Sequence, residues 1–425
     1  MGQQLDHARL QPQQAGFDQA LHAPGSIVQV GVDGEVRPET LLHQKHYGFY
    51  QLAAALAGGF VGAYLLRLGF SLSTALLANA ALLTCRFGMR LVALAVVRRL
   101  GFRNTIMLGA GLAAAQFLPL MNAGEPRWFV AWLLIVSLAE SLYWPVYHAA
   151  AAITGGDGSR GRELGIRTAV GALVGVLGPL AGGFLLERFG PAVDFGITAA
   201  LTLASVLPLA ALRAIPAGPV PSLRESVRAI DRAGILTFAA DGWMASGLAM
   251  AWPMVLFGSL GSHYESFGIA NAAAGVAGAV AGLICGHAID RGERDRCLAL
   301  VCCALALGFA LRACASWSPL AATIANATGA AIAGFYTPVV MSTVYDQAKR
   351  SGAAYRFHFA AEAGWDAGAV GGCLAAAAVA SVAMAPSLSL LPAVLGVAAV
   401  YWCVRGQATL APPRSLPVAD AATAG

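Results

Sequence analysis

Charged residues are scarce in this chain. Asp, Glu, Lys and Arg make up 12% of its 425 residues, whereas 58% are hydrophobic. Ordinary soluble domains are about 25% charged, so this composition argues against a soluble protein and indicates an integral membrane protein. The formal net charge is +5, but the basic residues lie in small groups between apolar stretches rather than on one face. We therefore expect no nucleic-acid partner.

Motifs for metal binding and enzyme chemistry are also lacking. The chain has 8 cysteines but no Cys-x-x-Cys pair and no matching histidine spacing, so we expect packing residues and neither a metal nor a cofactor. It has no Walker-type phosphate loop, no His-Glu-x-x-His and no Gly-x-Ser-x-Gly. We therefore do not expect an enzyme. Without a phosphate loop, ATP is not expected to be the direct energy source, and a proton gradient is the alternative.

Both ends of the chain are polar. Residues 1–46 lack the apolar core of about 7 to 15 residues that follows the basic start of a signal peptide, so we expect a cytoplasmic tail. Residues 406–425, rich in Ala and Pro, are predicted to form a second cytoplasmic tail.

Long apolar stretches fill the chain between these tails. A helix that crosses the hydrocarbon core of a bilayer needs about 20 apolar residues. Stretches of this length form two sets of six, within residues 47–213 and 233–405, and a cytoplasmic linker of residues 214–232 joins them. Apolar residues recur with helical spacing in the linker, which predicts a short amphipathic helix. The twelve predicted spans lie near residues 49–69, 72–97, 104–122, 128–153, 164–187, 191–213, 233–258, 268–290, 297–315, 318–345, 357–383 and 387–405.

Basic residues concentrate in alternate loops. Short cytoplasmic loops of membrane proteins carry an excess of Lys and Arg. With the amino terminus inside, the outer loops hold little beyond Arg67, Arg127 and Arg188. This asymmetry predicts a multi-pass protein of the plasma (inner) membrane with both termini cytoplasmic. The inner loops hold Arg98, Arg99, Arg103, Arg160, Arg162, Arg224, Arg228, Arg232, Arg291, Arg294, Arg296, Lys349, Arg350 and Arg356.

Short motifs recur between the two sets of spans at nearly one offset. Such a repeat predicts two similar six-helix bundles that can rock about a site at the bilayer midplane. The pairs are Arg98-Arg99-Leu100-Gly101 with Asp290-Arg291-Gly292-Glu293, Tyr143-Trp144-Pro145-Val146 with Tyr336-Thr337-Pro338-Val339, and Gly182-Gly183-Phe184-Leu185 with Gly371-Gly372-Cys373-Leu374, at offsets of 192, 193 and 189 residues.

The segment of residues 286–294 ends an apolar stretch with an abrupt group of charges. It resembles the loop signature of the major facilitator superfamily, in which a small residue, an Asp-Arg pair and a further basic residue join two helices on the cytoplasmic side. In the first-half copy, Arg98 takes the position of the usual Asp. The resemblance covers about residues 47–405 and implies an all-α fold of twelve transmembrane helices in two pseudo-symmetric bundles. It also implies a gating role for Gly286, Asp290, Arg291, Arg294, Arg98, Arg99 and Gly101.

Glycine and proline recur along the fifth span. The pattern is similar to the glycine-proline signature of proton-coupled antiporters in that family, especially drug exporters, and it favours export. The alternative is a tight helix interface that carries no information on direction, because glycine permits close helix contact and proline bends a helix. The residues are Gly171, Gly175, Gly178, Pro179, Gly182 and Gly183.

A carboxylate and an aromatic stripe share one face of the fourth span. Glu140 lies near its middle, where a charge costs at least ~2.5 to 3.5 kcal/mol on insertion scales, so Glu140 is a functional candidate. Tyr143, Trp144, Tyr147 and His148 follow it on the same face. This stripe can bind an organic solute while Glu140 takes and releases a proton. The alternative is packing between helices, with Glu140 paired to an arginine of the second span.

Two further pairs of charged residues are spaced i, i+4 within spans. Arg86 and Arg90 in the second span are predicted to neutralise Glu140 and the acids of the eleventh span, with attraction of an anionic substrate as the alternative. Glu362 and Asp366 in the eleventh span share a face. Two carboxylates that close cannot both ionise cheaply, which suits a proton carrier. It also suits a structural lock to an arginine across the bundle interface.

Three residues complete the candidate site. Asp241 in the seventh span is a coupling or binding carboxylate, or a partner for a neighbouring helix. Asn326 and Tyr336 in the tenth span can supply donors and acceptors to the same cavity, or serve helix packing. In the family that the chain resembles, the first, fourth, seventh and tenth helices line the cavity.

These observations favour a secondary active transporter that moves a small organic solute by alternating access, as a proton-coupled exporter. We expect a monomer that contacts membrane lipid. The alternatives are an uptake symporter or facilitator, and a transport-inactive membrane sensor or assembly partner. For the inner gate, we expect Asp290 to accept from the free N–H groups at the start of the fifth helix, near residues 161–165.

Overall fold

The regular structure of the described chain is entirely helical. The computed structural model describes residues 38–154, 160–212, 220, 232–289, 294–350 and 354–410. Each predicted span has a helical counterpart within these ranges. We label these helices α1 to α12 in chain order. Their bounds are α1 Pro38–Ala57 continued in Val61–Arg67; α2 and α3 within Leu72–Ala115, with α3 continued in Phe117–Met121; α4 Pro126–Thr154; α5 Arg160–Phe189; α6 Pro191–Ala204 and Val206–Ala210; α7 Arg232–Ala245 and Trp252–Ser259; α8 Tyr264–Ile289; α9 Arg294–Ala315; α10 Pro319–Arg350; α11 Ala354–Val382; and α12 Ala393–Leu410.

The helical geometry changes locally at three places. A 3₁₀ turn, Gly58–Phe60, interrupts α1, and a π-helical segment, Ser246–Ala251, interrupts α7 immediately before Trp252 and Pro253. Segments of π-helix are rare and are often found at functional sites. Helices α2 and α3 follow each other directly within Leu72–Ala115 and are separated at Gly101, which has φ 73° and ψ 175°. A positive φ of this kind favours glycine, which has no Cβ to clash.

The helical boundaries differ from the predicted tails at both ends. Helix α1 begins at Pro38, so the last nine residues of the polar segment predicted as residues 1–46 are helical. Polar side chains there misled a prediction from hydropathy, because His43 and His46 are buried inside the bundle. Helix α12 continues to Leu410, past the predicted boundary at residue 406. The predicted amphipathic helix of the linker lies outside the described residues.

Each half of the chain packs mainly within itself, and two antiparallel seams join the halves. In the first half, α4 packs on α2 and α3, and α1 packs on α5 and α6; in the second, α7 packs on α11 and α12, and α10 on α8 and α9. The seams are α2 with α11 and α5 with α8. Helix α1 ends at Arg67, and we call this end of the molecule the Arg67 end. The opposite end, where Gly101 separates α2 from α3, is the Gly101 end. The Gly101 end is the predicted cytoplasmic end.

Eight helical stretches of the described residues are long and apolar enough to cross a membrane, judged by length and composition. Large hydrophobic side chains are exposed along several helices, for example Leu207 at 71% and Leu300 at 70%. Exposed apolar side chains in that number fit a lipid-facing surface rather than a water-facing one.

Candidate functional site

An ion-pair cluster joins the two halves along the seam of α2 and α11. Arg86 donates to Glu140 of α4 through Nη1, at 2.5 Å, and to Asp366 of α11 through Nε, at 2.7 Å. Arg90, one turn further along α2, donates to the other oxygen of Asp366 through Nε at 2.8 Å and Nη2 at 2.5 Å. Glu362 lies 3.4 Å from Nη1 of Arg90 and accepts through its backbone carbonyl as well. The structure therefore brings together five residues predicted for the site.

The cluster contains three carboxylates and two guanidinium groups. The Asp366 side chain is fully buried and that of Arg90 is 3% exposed, whereas the Glu140 side chain is 30% exposed. Opposite charges in such a place stabilise each other only when their hydrogen bonds are satisfied, and here Asp366 is satisfied by both arginines. With every group ionised, one negative charge remains uncompensated, and Glu140 is the most exposed of the three carboxylates.

Backbone contacts hold the helices of this cluster in place. The hydroxyl of Ser141 donates to the carbonyl of Arg86 at 3.0 Å and ties α4 to α2. On the other side of α11, Gly364 lies so close to α7 that a Cβ there would be 2.7 Å from the carbonyl oxygen of Ile235. This close packing brings α7 within reach of the next part of the site.

Asp241 of α7 extends the cluster further within the second half. Its carboxylate accepts from the hydroxyl of Tyr336 at 2.5 Å and from the indole N–H of Trp365 at 3.0 Å. The ring of Trp365 in turn lies 5.2 Å from the guanidinium carbon of Arg86, a cation–π distance. Two predicted residues, Asp241 and Tyr336, are thus in contact and connect to Arg86 through one tryptophan.

The aromatic stripe of α4 packs against α1. Tyr143 and Tyr147 are 0% and 1% exposed, and the ring of Tyr143 stacks on Tyr50 with centroids 4.0 Å apart. His46 Nδ1 lies 2.8 Å from the carbonyl of Ser205, to which it must donate, so in the neutral ring Nε2 accepts from the Tyr143 hydroxyl at 2.9 Å. These two tyrosines therefore lie in the core of the first half, as the packing alternative predicts.

The rest of the stripe reaches the second half. Trp144 stacks with His148 at 5.7 Å, and His148 stacks with His358 of α11 at 5.6 Å. Both Trp144 and His148 are partly exposed. The stripe thus divides into a buried tyrosine part and a part that contacts the opposite bundle between the ion-pair cluster and the Gly101 end.

Asn326 lies away from the ion-pair cluster. It is ten residues from Tyr336 on α10, about 15 Å along the helix axis, and its side-chain oxygen accepts from the indole N–H of Trp252 at 2.8 Å. The guanidinium of Arg312, a side chain that is 4% exposed, lies 5.2 Å from the Trp252 ring. Asn326 therefore belongs to a second polar cluster within the second half rather than to the group around Arg86.

The glycine-proline motif of α5 divides into two parts. Gly178, Gly182 and Gly183 touch neighbouring backbones, and a Cβ on Gly183 would lie 2.5 Å from the carbonyl oxygen of Tyr264. A Cβ on Gly171 or Gly175 would meet no described residue within 4 Å, although the carbonyl of Gly175 packs closely against Gly275 of α8. Gly178 and Gly182 pack against α1 within the first half, and Gly183 packs against α8 in the seam between the halves. The second part lines a cavity.

This cavity lies between the halves and has a volume of about 440 Å³. Pockets of roughly 300–1,000 Å³ hold small organic molecules. Residues from α1, α5, α7 and α8 form its wall. They are Gln51, Ala54, Ala55, Gly59, Phe60, Gly171, Val174, Gly175, Pro179, Pro253, Phe267 and Asn271.

Polar contacts between the halves close the Arg67 end. Glu187, near the end of α5, accepts from the backbone N–H of Tyr264 at 2.7 Å and lies 3.2 Å from Nδ1 of His263. Arg67 at the end of α1 donates to the carbonyl of Ser262 at 2.9 Å. The guanidinium of Arg67 also lies 5.3 Å from the ring of Tyr264. We call this group, Arg67 and Glu187 with residues 262–264, the outer latch.

The predicted gating loops are described only in part. Arg98 and Arg99 are exposed at the Gly101 end, beside the break at Gly101. Gly286 lies in α8 and Arg294 begins α9. Asp290 and Arg291 lie outside the described residues, and so does the side chain of each residue in the segment 161–165.

Sequence reasoning missed the amides and rings of the cavity and the carboxylate of the outer latch. Gln51 and Asn271 are amides within apolar spans, which is the signal that selected Asn326, and that signal could have found them. Glu187 lies at the end of a span, where charge is common, so the sequence offers no comparable sign of its contact across the halves.

Comparisons with known proteins agree with this architecture. A sequence model described as Major Facilitator Superfamily matches residues 47–355. No curated protein matches the chain. Among solved structures, the chain is similar to a variant of the nucleoside transporter NupG, with 14% identity, a TM-score of 0.64 and coverage of 88% of this chain and 100% of that chain. It is also similar to a D-xylose-proton symporter, with 15% identity, a TM-score of 0.65 and coverage of 86% and 96%.

A third similar structure is the E. coli fucose:proton symporter FucP, with 13% identity, a TM-score of 0.62 and coverage of 87% of this chain and 98% of that chain. At these identities the likeness concerns the fold. The family match extends from the first helix to the start of α11 and includes the ion-pair residues of α2 and α4. The chain is therefore a multi-pass membrane protein of the transporter class, not an enzyme, and it belongs to the major facilitator superfamily.

Proposed function

We propose that the protein is a secondary active transporter that moves a small organic solute in exchange for protons. The observation that carries this proposal is the ion-pair cluster between the halves, in which three carboxylates meet two guanidinium groups. A cluster with one carboxylate in excess can hold a proton without leaving a buried charge unpaired. A proton source or acceptor at that place is what coupling requires.

Protonation of this cluster biases the contact between the halves. Glu140 belongs to the first half and competes with Asp366 of the second half for the Arg86 guanidinium. When Glu140 is neutral, Arg86 is released to Asp366 and the seam of α2 with α11 tightens. When Glu140 is charged, it draws Arg86 back to the first half. A group that interacts differently in two conformations shifts the equilibrium between them.

The seam of α5 with α8 provides the matching gates. Glu187 at the end of α5 caps the start of α8 in the outer latch. On the sequence pattern, Asp290 at the end of α8 caps the start of α5 at the cytoplasmic end. Alternating access requires that one of these contacts opens as the other closes.

Export is the direction that the glycine-proline motif of α5 favours. An uptake symporter is the second candidate, because the similar structures include proton symporters for D-xylose and fucose. A facilitator, or a transport-inactive sensor or assembly partner, is the remaining alternative. We further propose a monomer in the plasma (inner) membrane, in contact with lipid and with both termini cytoplasmic, on the distribution of basic loops.

Solute-driven proton flux in proteoliposomes tests the proposal. The panel contains sugars, nucleosides, organic acids and drug-like cations, and a pH indicator inside the vesicles reports proton movement. We expect at least one solute to move protons, with solute and protons in opposite directions for an exporter. Movement in the same direction identifies a symporter. Binding of a solute without proton or solute movement contradicts transport and favours the sensor.

A further inference from the structure

We propose that the solute binds in the cavity between α1, α5, α7 and α8, and that it is an uncharged polar molecule recognised by the side-chain amides of Gln51 and Asn271. The inference rests on the proposed transport function, to which it adds the binding residues and the chemical class of the solute. Gln51 belongs to the first half and Asn271 to the second. One solute that bonds to both amides therefore contacts both halves.

The wall of the cavity excludes charged solutes. Every described residue that lines it is uncharged. An ionised group that enters a low-dielectric site without an opposite charge loses its hydration and gains no ion pair, which is a large cost. The charged side chains of Arg86, Arg90 and Asp366 are committed to one another in the cluster along α2 and α11. They do not line this cavity.

The amides have hydrogen-bonding groups to spare. The side-chain amide of Gln51, within the helix Pro38–Ala57, makes no hydrogen bond with any residue that the structure describes. Asn271 donates one N–H to the carbonyl of Phe267 at 2.9 Å, and its oxygen lies 3.4 Å from the amide nitrogen of Asn326. Its second N–H is left over.

Apolar side chains form most of the cavity wall, and two of them are almost fully buried phenylalanine rings. Phe60 and Phe267 are each 1% exposed and meet edge to face, with centroids 5.3 Å apart. The ring of Phe60 also lies 6.3 Å from Tyr264 of the outer latch. A solute with one polar edge and one apolar face fits this arrangement, with its polar edge on the amides and its apolar face on the exposed Ala54 and the partly exposed Val174 and Pro253. Phe60 therefore connects the cavity wall to a residue that closes the Arg67 end.

Matched pairs of neutral and anionic compounds test this inference on the purified full-length protein. The pairs are uridine with uridine monophosphate, and D-xylose with D-xylonate, measured by thermal shift and by binding titration. We expect a neutral member to bind and its anionic counterpart to bind at least about tenfold more weakly. Gln51→Leu and Asn271→Leu should each weaken binding about threefold to tenfold, the effect of one lost hydrogen bond.

Two controls match these variants. Gln116→Leu removes an amide that donates within its own turn of the first half, and Asn79→Leu removes an asparagine that makes the same i−4 bond as Asn271. Both should bind the neutral compound as wild type does. Equal binding of the anionic member, unchanged binding by Gln51→Leu and Asn271→Leu, or no binding of any member to wild type would overturn the inference.

Failure of this site is distinguishable from failure of the transport function. Binding that depends on Gln51 but drives no proton flux contradicts the proposed function and supports the site. Proton flux driven by an anionic member supports the function and contradicts the site. The Glu140→Gln variant should retain binding of the neutral compound, because Glu140 does not line the cavity.

Discussion

The carboxylate of Glu187, near the end of α5, accepts a hydrogen bond of 2.7 Å from the backbone N–H of Tyr264, the first residue of α8. The first N–H groups of a helix have no partner within the helix, and the positive end of its dipole lies there. A side chain of the first half therefore caps a helix of the second half. This contact exists only while the two halves meet at the Arg67 end.

Glu187→Gln should open the outer latch more often. The substitution keeps an acceptor but removes the charge that favours the helix start and His263, and a lost charge-assisted hydrogen bond of about 1.5 kcal/mol corresponds to roughly a tenfold shift in equilibrium. The measurement is the labelling rate of Ala54→Cys, an exposed cavity position, by an impermeant maleimide added outside. Native cysteines are replaced in the background protein.

The control is Glu125→Gln, because Glu125 pairs only with its exposed neighbour Arg127 within the first half. It should leave the labelling rate unchanged. A Glu187→Gln rate equal to that of the control would show that the latch does not hold this end closed.

Asp290→Asn should shift the same equilibrium in the opposite direction. If Asp290 caps α5 at the cytoplasmic end, its neutralisation destabilises the conformation that is open at the Arg67 end, and external labelling of Ala54→Cys should slow. Transport should fall while abundance in the membrane stays normal. Normal transport with an unaltered labelling rate would refute the predicted inner gate.

Asp366→Asn should lower the stability of the protein. Asp366 accepts from both Arg86 and Arg90 and is fully buried. Removing one partner of a buried ion pair typically costs about 3–5 kcal/mol, because a buried charge is left unpaired. The thermal unfolding midpoint of the detergent-solubilised protein should therefore fall.

A double variant separates the lost charge from the lost packing. Arg90→Met combined with Asp366→Leu removes both charges and should recover most of the stability, since an apolar pair can replace a buried ion pair. It should not recover transport. A double variant as unstable as Asp366→Asn would mean that packing, rather than charge, explains the loss.

Gly182→Ala and Gly171→Ala should differ sharply. A Cβ on Gly182 collides with the backbone carbonyl of Leu56, whereas nothing lies within 4 Å of a Cβ on Gly171. Overpacking of this kind costs about 1–3 kcal/mol. Gly182→Ala should lower the unfolding midpoint and Gly171→Ala should not. Equal effects of the two would show that the motif acts as a whole rather than through the contact of Gly182 with α1.

Hydropathy and loop charge were sufficient to predict the helices, because each span is an apolar stretch of about the required length. They failed at the start of α1, where His43 and His46 are polar but buried against the tyrosines of α4. The direct junction of α2 and α3 at Gly101, without a separate loop, is a second difference. A basic group between two spans predicts a loop, whereas one residue with positive φ is enough to turn the chain there.

Charge spacing predicted the ion-pair cluster better than aromatic spacing predicted a solute site. The charged side chains of Arg86, Glu140 and Asp366 have a high free energy of insertion into a membrane unless they pair. Their mutual contact could therefore be inferred from the sequence. Tyr143 carries no such constraint, since a tyrosine on a helix face packs in a core as readily as it lines a cavity. Gln51 and Gly175 line the cavity because of how the helices are arranged, which one sequence does not reveal.

Proton flux through the Glu140→Gln variant tests the central claim most directly. Wild type and variant are reconstituted at equal density, with Glu125→Gln as the control for an exposed carboxylate of the same half. A solute that drives protons through wild type should drive none above the level of empty liposomes through Glu140→Gln, although it still binds. Full proton flux in Glu140→Gln would contradict coupling at the cluster of Arg86, Glu140 and Asp366.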